Sequence, residues 1–529
     1  MIKKVLIVIP PLINVEDGKT DFQGPEFEIY RLVSPIEPMS VAASLLESGF
    51  DVSVFDMGLY KDRIDSLYEH MCDFPPDAVV LVSSIMTFAT AQDWDGAKVF
   101  RMARSRRENV VRILTGPHAT NYPGQAVMDN VCDYSIKGEV DFEVRNLLVR
   151  LNEDADISRM PGLAYRHNGS KVEISTIYPS VDVAKLPLPA YQILDDDEKQ
   201  RYADTLEYGK IRFPEKSPFY RDIMTSRSCV LRCSFCSVAH LRGETQKYRR
   251  KPLDMVMAEI EQALEQGIKE IHFFDDLFAE NEEQIFAFTD ELVRRNLKFD
   301  WFPSQGMPLW PLTKDALTAM KETGMYRIIC PLESGSNSVL DRVVGKKYST
   351  IEHHHDVLQW ATELGMEIIG MFVVGMPGET RSEILDTIHF AEEHPEIDYS
   401  VFSIATPMVG TKLMRQVVKD GQLTDEDSIN RIIKRTVALY HTEEFSEYEL
   451  GVIRAFDWGH INFATEGRRQ KYARMVGITM DQLDEMRAHS VHTFEQYFPD
   501  FNGPYSFKEL YHQAGLYREM EPVMPASLY

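Results

Sequence analysis

Short apolar runs alternate with helix-like segments twice along this chain, and that alternation restricts it to parallel sheets with helical crossovers. The first set of runs is KKVLIVIP, DVSVFDM, DAVVLVSS, VVRILTG and YSIKGE, with helical patterns near residues 39–48 and 94–104. A doubly wound, Rossmann-like sheet is expected over residues 1–175. Ligands of such sheets sit at the carboxyl ends of the strands, where this chain places PPLINVEDG, SSIMT, TGPHAT and KGEVD. Periodicity is lost in LPLPAYQILDDDEK and on to SPFY, so residues 176–218 read as an acidic, proline-containing linker. Alternation resumes with RDIMTSR, EIHFFDD, KFDWFPSQ, YRIICPLE, EIIGMFVVG and YSVFSIATP. These are about six βα units, the pattern of a partial (β/α)6 barrel over residues 219–422. From Leu423 onward the pattern is helical, which sets residues 423–529 apart.

A chain of 529 residues exceeds one ordinary core, consistent with such a division. No apolar run approaches the roughly 18 residues needed to cross a bilayer, so no membrane role is expected. The opening MIKKVLIVIPPL lacks a small-residue cleavage site and reads as a buried first strand ended by prolines. Asp and Glu number 82 against 57 Lys and Arg, a net charge of -25 that would repel a phosphate backbone. Nucleic acid is therefore not an expected partner.

Six cysteines in so long a chain cannot form a disulfide framework, and three lie within eight residues. That grouping points to metal binding in a reducing compartment, and the cytoplasm fits best. The segment SRSCVLRCSFCSVAH gives C-x3-C-x2-C on the loop after the first barrel strand. Three thiolates, Cys229, Cys233 and Cys236, can hold three irons of a 4Fe-4S cluster and leave the fourth open. His240, four residues past Cys236, could instead complete a closed Cys3His zinc site. Cys72, Cys132 and Cys330 lie in or beside apolar segments and read as inert core residues.

The cysteine spacing and its place after the first strand resemble the radical S-adenosylmethionine (SAM) family. The resemblance implies that SAM chelates the open iron and that Phe235 lies near the adenine. It also implies that one-electron reduction cleaves SAM to a 5'-deoxyadenosyl radical. Asp275 and Asp276 in FFDD resemble residues that contact the SAM amino group, although a doubled carboxylate can equally cap the next helix. Glu333 and Ser334 in PLESGS resemble a pair that holds the ribose or carboxylate. Gly375 and Gly378 around Pro377 resemble an adenine-contacting turn, Thr406 with Pro407 resembles the last such strand end, and Gln305 closes another strand.

The first domain resembles the cobalamin-binding domain that precedes the barrel in one large radical SAM group. Ser83, Ser84 and Thr87 in the SSIMT loop are the first positions carried over. Gly116, His118, Thr120 and Glu139 in the next two loops are the others. A nucleotide or flavin would occupy the same crevice, since fold alone does not select the ligand. No D-x-H-x-x-G follows the first strand, so the usual histidine lower ligand is missing, and His118 stands after a later strand.

Within that group, TSRSCVLRCSFCSVAH, HFFDD, PSQGMPLW, LESGSNSVLDRVVGKK and SVFSIATPMVGTKLMRQVVKDG resemble the phosphonate C-methyltransferases of fosfomycin biosynthesis. Ser228 stands where a glycine usually precedes the first cluster cysteine. The resemblance implies a cobalamin-dependent (class B) radical SAM methyltransferase. A deoxyadenosyl radical would remove hydrogen from a small-molecule substrate, and methylcobalamin would supply a methyl group to a carbon or phosphorus centre. A second SAM would then remethylate the cofactor, with electrons from a donor such as flavodoxin or ferredoxin. The alternative is an oxidative cyclase of the porphyrin-ester type, which shares the domain order. His441, Asp457, Trp458, His460, Arg468, Arg469 and the run His353 to His355 receive no assigned role.

Overall fold

The computed structural model describes residues 1–10, 15–16, 19–20, 34–60, 62–82, 96–167, 171–204, 216–243, 245, 247–423 and 438–513. Ser83, Ser84 and Thr87 lie outside the described residues.

The sheet domain contains β1 (Lys4–Ile9), β2 (Asp51–Asp56), β3 (Ala78–Leu81), β4 (Val111–Leu114), β5 (Tyr134–Ile136), β6 (Leu163–His167) and β7 (Lys171–Ile174). Their order is β2-β1-β3-β4-β5-β6-β7, parallel through β5 and antiparallel after it. Val5, Leu6, Ile7 and Val8 in β1 are fully buried, as a strand covered by helices on both faces requires. The chain reverses direction of winding between β1 and β3, and the crevice there is the ordinary ligand position of such a sheet. The β6–β7 hairpin was not expected; Asn168–Gly169 between the strands is its local signal.

The barrel contains β8 (Tyr220–Ile223), β9 (Glu270–Phe273), β10 (Asp300–Pro303), β11 (Arg327–Glu333), β12 (Glu367–Val374) and β13 (Tyr399–Ile404). All six run parallel in two three-stranded sheets, joined by a bridge between Trp301 and Met325. Thr313, Thr350 and Thr380 each accept a backbone N–H and start the helices Lys314–Glu322, Ile351–Glu363 and Arg381–Glu393. Phe273, Phe278, Phe288 and Trp301 pack mostly edge to face inside the first half.

A six-stranded barrel leaves β13 with an unpaired edge, and the carboxyl-terminal helices cover it. Asn462 accepts the Ser400 N–H at 2.7 Å and donates to the Ser400 carbonyl at 2.8 Å, standing in for the missing neighbour strand. Trp458 donates to the Tyr399 hydroxyl, Arg468 to the carbonyls of Ile461 and Ile397, and Asp457 accepts the Phe507 N–H. Trp458 and Arg468 thus hold the barrel wall, while Asp457 ties the last region together. Residues 176–204 of the expected linker pack against both domains. Tyr202, on the helix Asp196–Asp204, donates to Asp56 in the sheet domain, while the Arg221 guanidinium of the barrel lies 4.0 Å from the Tyr191 ring centre. Cys132 and Cys330 are buried as expected; Cys72 is exposed, on the solvent side of the helix Arg63–Asp73. No helix among the described residues is long and apolar enough to cross a membrane.

Candidate functional site: the cysteine loop between barrel and sheet

The cysteine loop leaves the carboxyl end of β8 and is fixed at both flanks and in its middle. Asp275, after β9, accepts the Thr225 and Ser226 N–H groups at 2.7 and 2.5 Å and both hydroxyls as well. Ser226 and Arg227 then pair antiparallel with Arg250 and Arg249. Ser234 donates its N–H to the Val344 carbonyl and accepts the Leu413 N–H on its own carbonyl, both at 3.0 Å. The loop is thereby tied to the turns that follow β11 and β13. Cys229 accepts the Leu231 N–H on sulfur at 3.4 Å, and the Cys236 N–H donates to the Cys233 carbonyl. The short helix Val238–Arg242 follows.

Burial pushes the Cys233 and Cys236 thiols up to about 12 and raises Cys229 as well. They become thiolates when cations displace their protons. Among the described residues, no three His, Cys, Asp or Glu side chains converge on a single ion. Three thiols at this spacing suit one thiolate per iron of a cluster. His240 is engaged elsewhere: its Nε2 faces the Asn121 amide oxygen at 3.1 Å, and its ring fills the space beside Gly410.

Five described residues other than glycine have a positive φ: Asn130, Asp154, Asn296, Ser228 and Glu333. Asn and Asp tolerate that conformation, whereas serine and glutamate seldom adopt it. Ser228 (φ +68°) immediately precedes Cys229, and Glu333 (φ +62°) ends β11. Strain of about 1–3 kcal/mol at each position is the kind that collects where geometry serves a ligand. Glu333 accepts from the buried Lys346 ammonium at 2.7 Å. Lys346 follows a π-helical turn, Val339–Val344, and neither feature is visible in the sequence pattern.

The two neighbouring carboxylates of FFDD divide their work. Asp275 is surrounded by the four donors of Thr225 and Ser226, so it braces the loop. Asp276 accepts the Ser228 N–H at 2.6 Å and Arg242 at 2.9 Å on one oxygen, while its other oxygen is buried without a hydrogen-bond partner. Ser334 is likewise a brace, with its hydroxyl held by Thr387 and the Ser336 N–H. Gly375 (φ +83°) accepts the Tyr440 hydroxyl on its carbonyl, and a Cβ there would lie 2.4 Å from Leu450. Beside it the unanticipated Glu379 accepts the Gly375 and Met376 N–H groups on one oxygen, and burial pushes its carboxyl up to about 8. Phe235 and Pro377 are half-buried, Gln305 is exposed, and Thr406 donates to the Ile404 carbonyl.

On the sheet side, Gly116 (φ +89°) opens the helix Pro117–Asn121, which packs on the helix Val238–Arg242 directly after the cysteine loop. Tyr178 adds hydrogen bonds to the His240 and Leu241 carbonyls. Burial lowers the His118 imidazole to about 4, leaving it neutral. Thr120 donates to the Gly116 carbonyl and accepts the Gly138 N–H, so its hydroxyl joins two loops instead of facing a ligand. Glu139 is fully buried and takes both terminal nitrogens of Arg249, at 2.7 and 2.9 Å. Both of its carboxylate oxygens are thereby engaged by the barrel-side guanidinium. Asp141, two residues on, takes both terminal nitrogens of Arg227 at 2.6 and 2.7 Å. Although burial opposes it, the Arg227 charge holds the Asp141 carboxyl down at about 2.

Comparison with known proteins matches residues 223–391 to the radical SAM superfamily. The chain is 29% identical to an uncharacterized methyltransferase of Pyrococcus horikoshii over 80% of its length and 84% of the relative's. It is 26% identical to the cytidylyl-2-hydroxyethylphosphonate methyltransferase of Streptomyces wedmorensis, covering 81% and 87%. A radical SAM methyltransferase of Kitasatospora setae, solved with cobalamin and a 4Fe-4S cluster, shares the fold at a TM-score of 0.62 and 18% identity, covering 79% and 78%. Cysteine spacing, strand-end placement and superfamily match agree: the chain carries a radical SAM domain.

Proposed function

We propose that this protein is a cobalamin-dependent radical SAM methyltransferase acting on a small molecule. The observation that carries the proposal is the contact between the helices Pro117–Asn121 and Val238–Arg242, which brings the ligand edge of a doubly wound sheet against the cysteine loop of the barrel. Two cofactor sites that must share one substrate need such a juxtaposition.

Cys229, Cys233 and Cys236 would hold three irons of the cluster. When bound, the cluster and SAM supply a hydrogen-abstracting radical, and cobalamin carries the methyl group. The unpartnered Asp276 oxygen is suited to accept from the SAM ammonium, whereas Asp275 is not. Phe235, Glu333, Gly375, Pro377, Thr406 and Gln305 stand at or beside the strand ends around the same mouth and are its remaining candidate contacts. Gly116 and neutral His118 form the described part of the cobalamin edge. A neutral imidazole suits a packing role beside a corrin or a weak axial contact. A phosphonate is the substrate class suggested by the Streptomyces relative, and a flavodoxin or ferredoxin is the class of donor the chemistry requires.

The test is product mass after anaerobic incubation with SAM, dithionite, cobalamin and candidate phosphonates. A product heavier by one methyl group, with 5'-deoxyadenosine and S-adenosylhomocysteine both formed, is expected. Deoxyadenosine formed with an oxidised, unmethylated product would replace this proposal with a cyclase-type activity.

A further inference from the structure

Three arginines of the segment 227–249 meet three carboxylates of the sheet domain in a buried network. Arg227 pairs with Asp141, Arg249 with Glu139, and Arg242 with Glu37, which lies at the start of the helix Ile36–Glu47. Glu139 also lies 3.7 Å from Arg227 and 3.8 Å from Arg242. Arg242, Glu37, Glu139 and Asp141 have side chains no more than 5% exposed. Arg242 differs from the other two in what it does with its remaining nitrogens. Its Nε donates to Asp276 at 2.9 Å, on the same oxygen that accepts the Ser228 N–H at 2.6 Å. One guanidinium thus reaches the sheet domain on one side. On the other it reaches the acceptor that holds Ser228 in a left-handed conformation next to Cys229.

We propose that Arg242 is a positioning residue through which the sheet domain fixes the backbone at Cys229. A pair needed only to dock the domains could sit anywhere on their interface. This one shares an acceptor with the residue whose unfavourable φ sets the direction of the first thiol. Serine lacks the freedom of glycine at such a position, so the Asp276 oxygen must hold it there, and Arg242 in turn holds Asp276. The sheet domain then acts on the cluster site as well as presenting its own ligand edge. The inference rests on the three cysteines holding a cluster.

The test uses the full chain, reconstituted anaerobically with iron and sulfide. Arg242→Lys, Arg242→Gln and Glu37→Gln are compared with the unaltered protein by iron content, by the electron paramagnetic resonance spectrum of the reduced cluster with and without SAM, and by SAM cleavage. Glu37→Gln removes the nearer of the two sheet-domain charges at Arg242, leaving Glu139, without touching the barrel. It should leave iron content unchanged, alter the spectrum of the SAM-bound form and slow cleavage about 10–100-fold, the usual effect of losing a partner of a metal ligand's support. Arg242→Gln should do the same or more, and Arg242→Lys should recover part of the loss. If Arg242→Gln does not fold, Glu37→Gln decides alone. Spectra and cleavage rates identical to the unaltered protein in Glu37→Gln would overturn the positioning role. An unaltered protein that takes up no iron would instead overturn the cluster assignment beneath it.

Discussion

The cysteine loop of the barrel and the Gly138–Asp141 turn of the sheet domain face one another, and both carry polar residues just after a strand. Their chemistry differs. In the first, the three thiols form no disulfide. In the second, Glu139 and Asp141 are taken up by arginines of the opposite domain. Thiols at fixed spacing have few uses other than a metal, whereas carboxylates at a strand end are as useful to a neighbouring guanidinium as to a ligand. A polar strand end is therefore a weak signal of a ligand site until its partners are known.

Cys233→Ser should have the largest effect: iron uptake and SAM cleavage should fall to background in an anaerobic assay, with the fold intact by circular dichroism. Retained cleavage would remove the loop's assigned role. Arg227→Met strands the fully buried Asp141 charge and should cost about 3–5 kcal/mol in stability, read as a lower Tm. An unchanged Tm would mean that the sheet-domain acids are free for a ligand after all.

Glu379 is buried with no ion pair among the described residues, and only the Arg342 charge opposes the effect of burial beside its backbone donors. Its carboxyl is raised from 4.5 to about 8, so the folded state holds the proton more tightly. That contribution is complete below pH 4.5 and is lost as the pH rises through about 8. Glu379→Gln should melt like the unaltered protein at pH 5 and be more stable at pH 9, by on the order of 2–4 kcal/mol. Parallel melting curves across that range would contradict it. Ser228→Gly should have the smallest effect, a stabilisation of about 1 kcal/mol from relief of the left-handed strain, measured by denaturant unfolding.

The alternation of apolar runs disclosed both domains, the six barrel strands and the starts of most helices, because period and capping are local properties. The carboxyl-terminal helices were legible as helices but not as the wall beside β13, since Asn462 gives no local hint that its amide will replace a strand. Asp275 and Asp276 were adjacent and indistinguishable in sequence; only the loop that folds back over β9 separates brace from open acceptor. Lys346, Glu379 and the three arginines were missed for a related reason. A buried charge is identified by its partner: Arg242 and Glu37 are 205 residues apart, while Lys346 and Glu379 bond to residues 13 and 4 positions away across a strand end and a turn that no periodicity marks.

The most direct test of the account is metal content together with products in one anaerobic preparation supplied with iron, sulfide and cobalamin. Four irons and one cobalt per chain, with 5'-deoxyadenosine formed from SAM, are the predicted result. Bound zinc, or iron without cobalt and no deoxyadenosine, would contradict it.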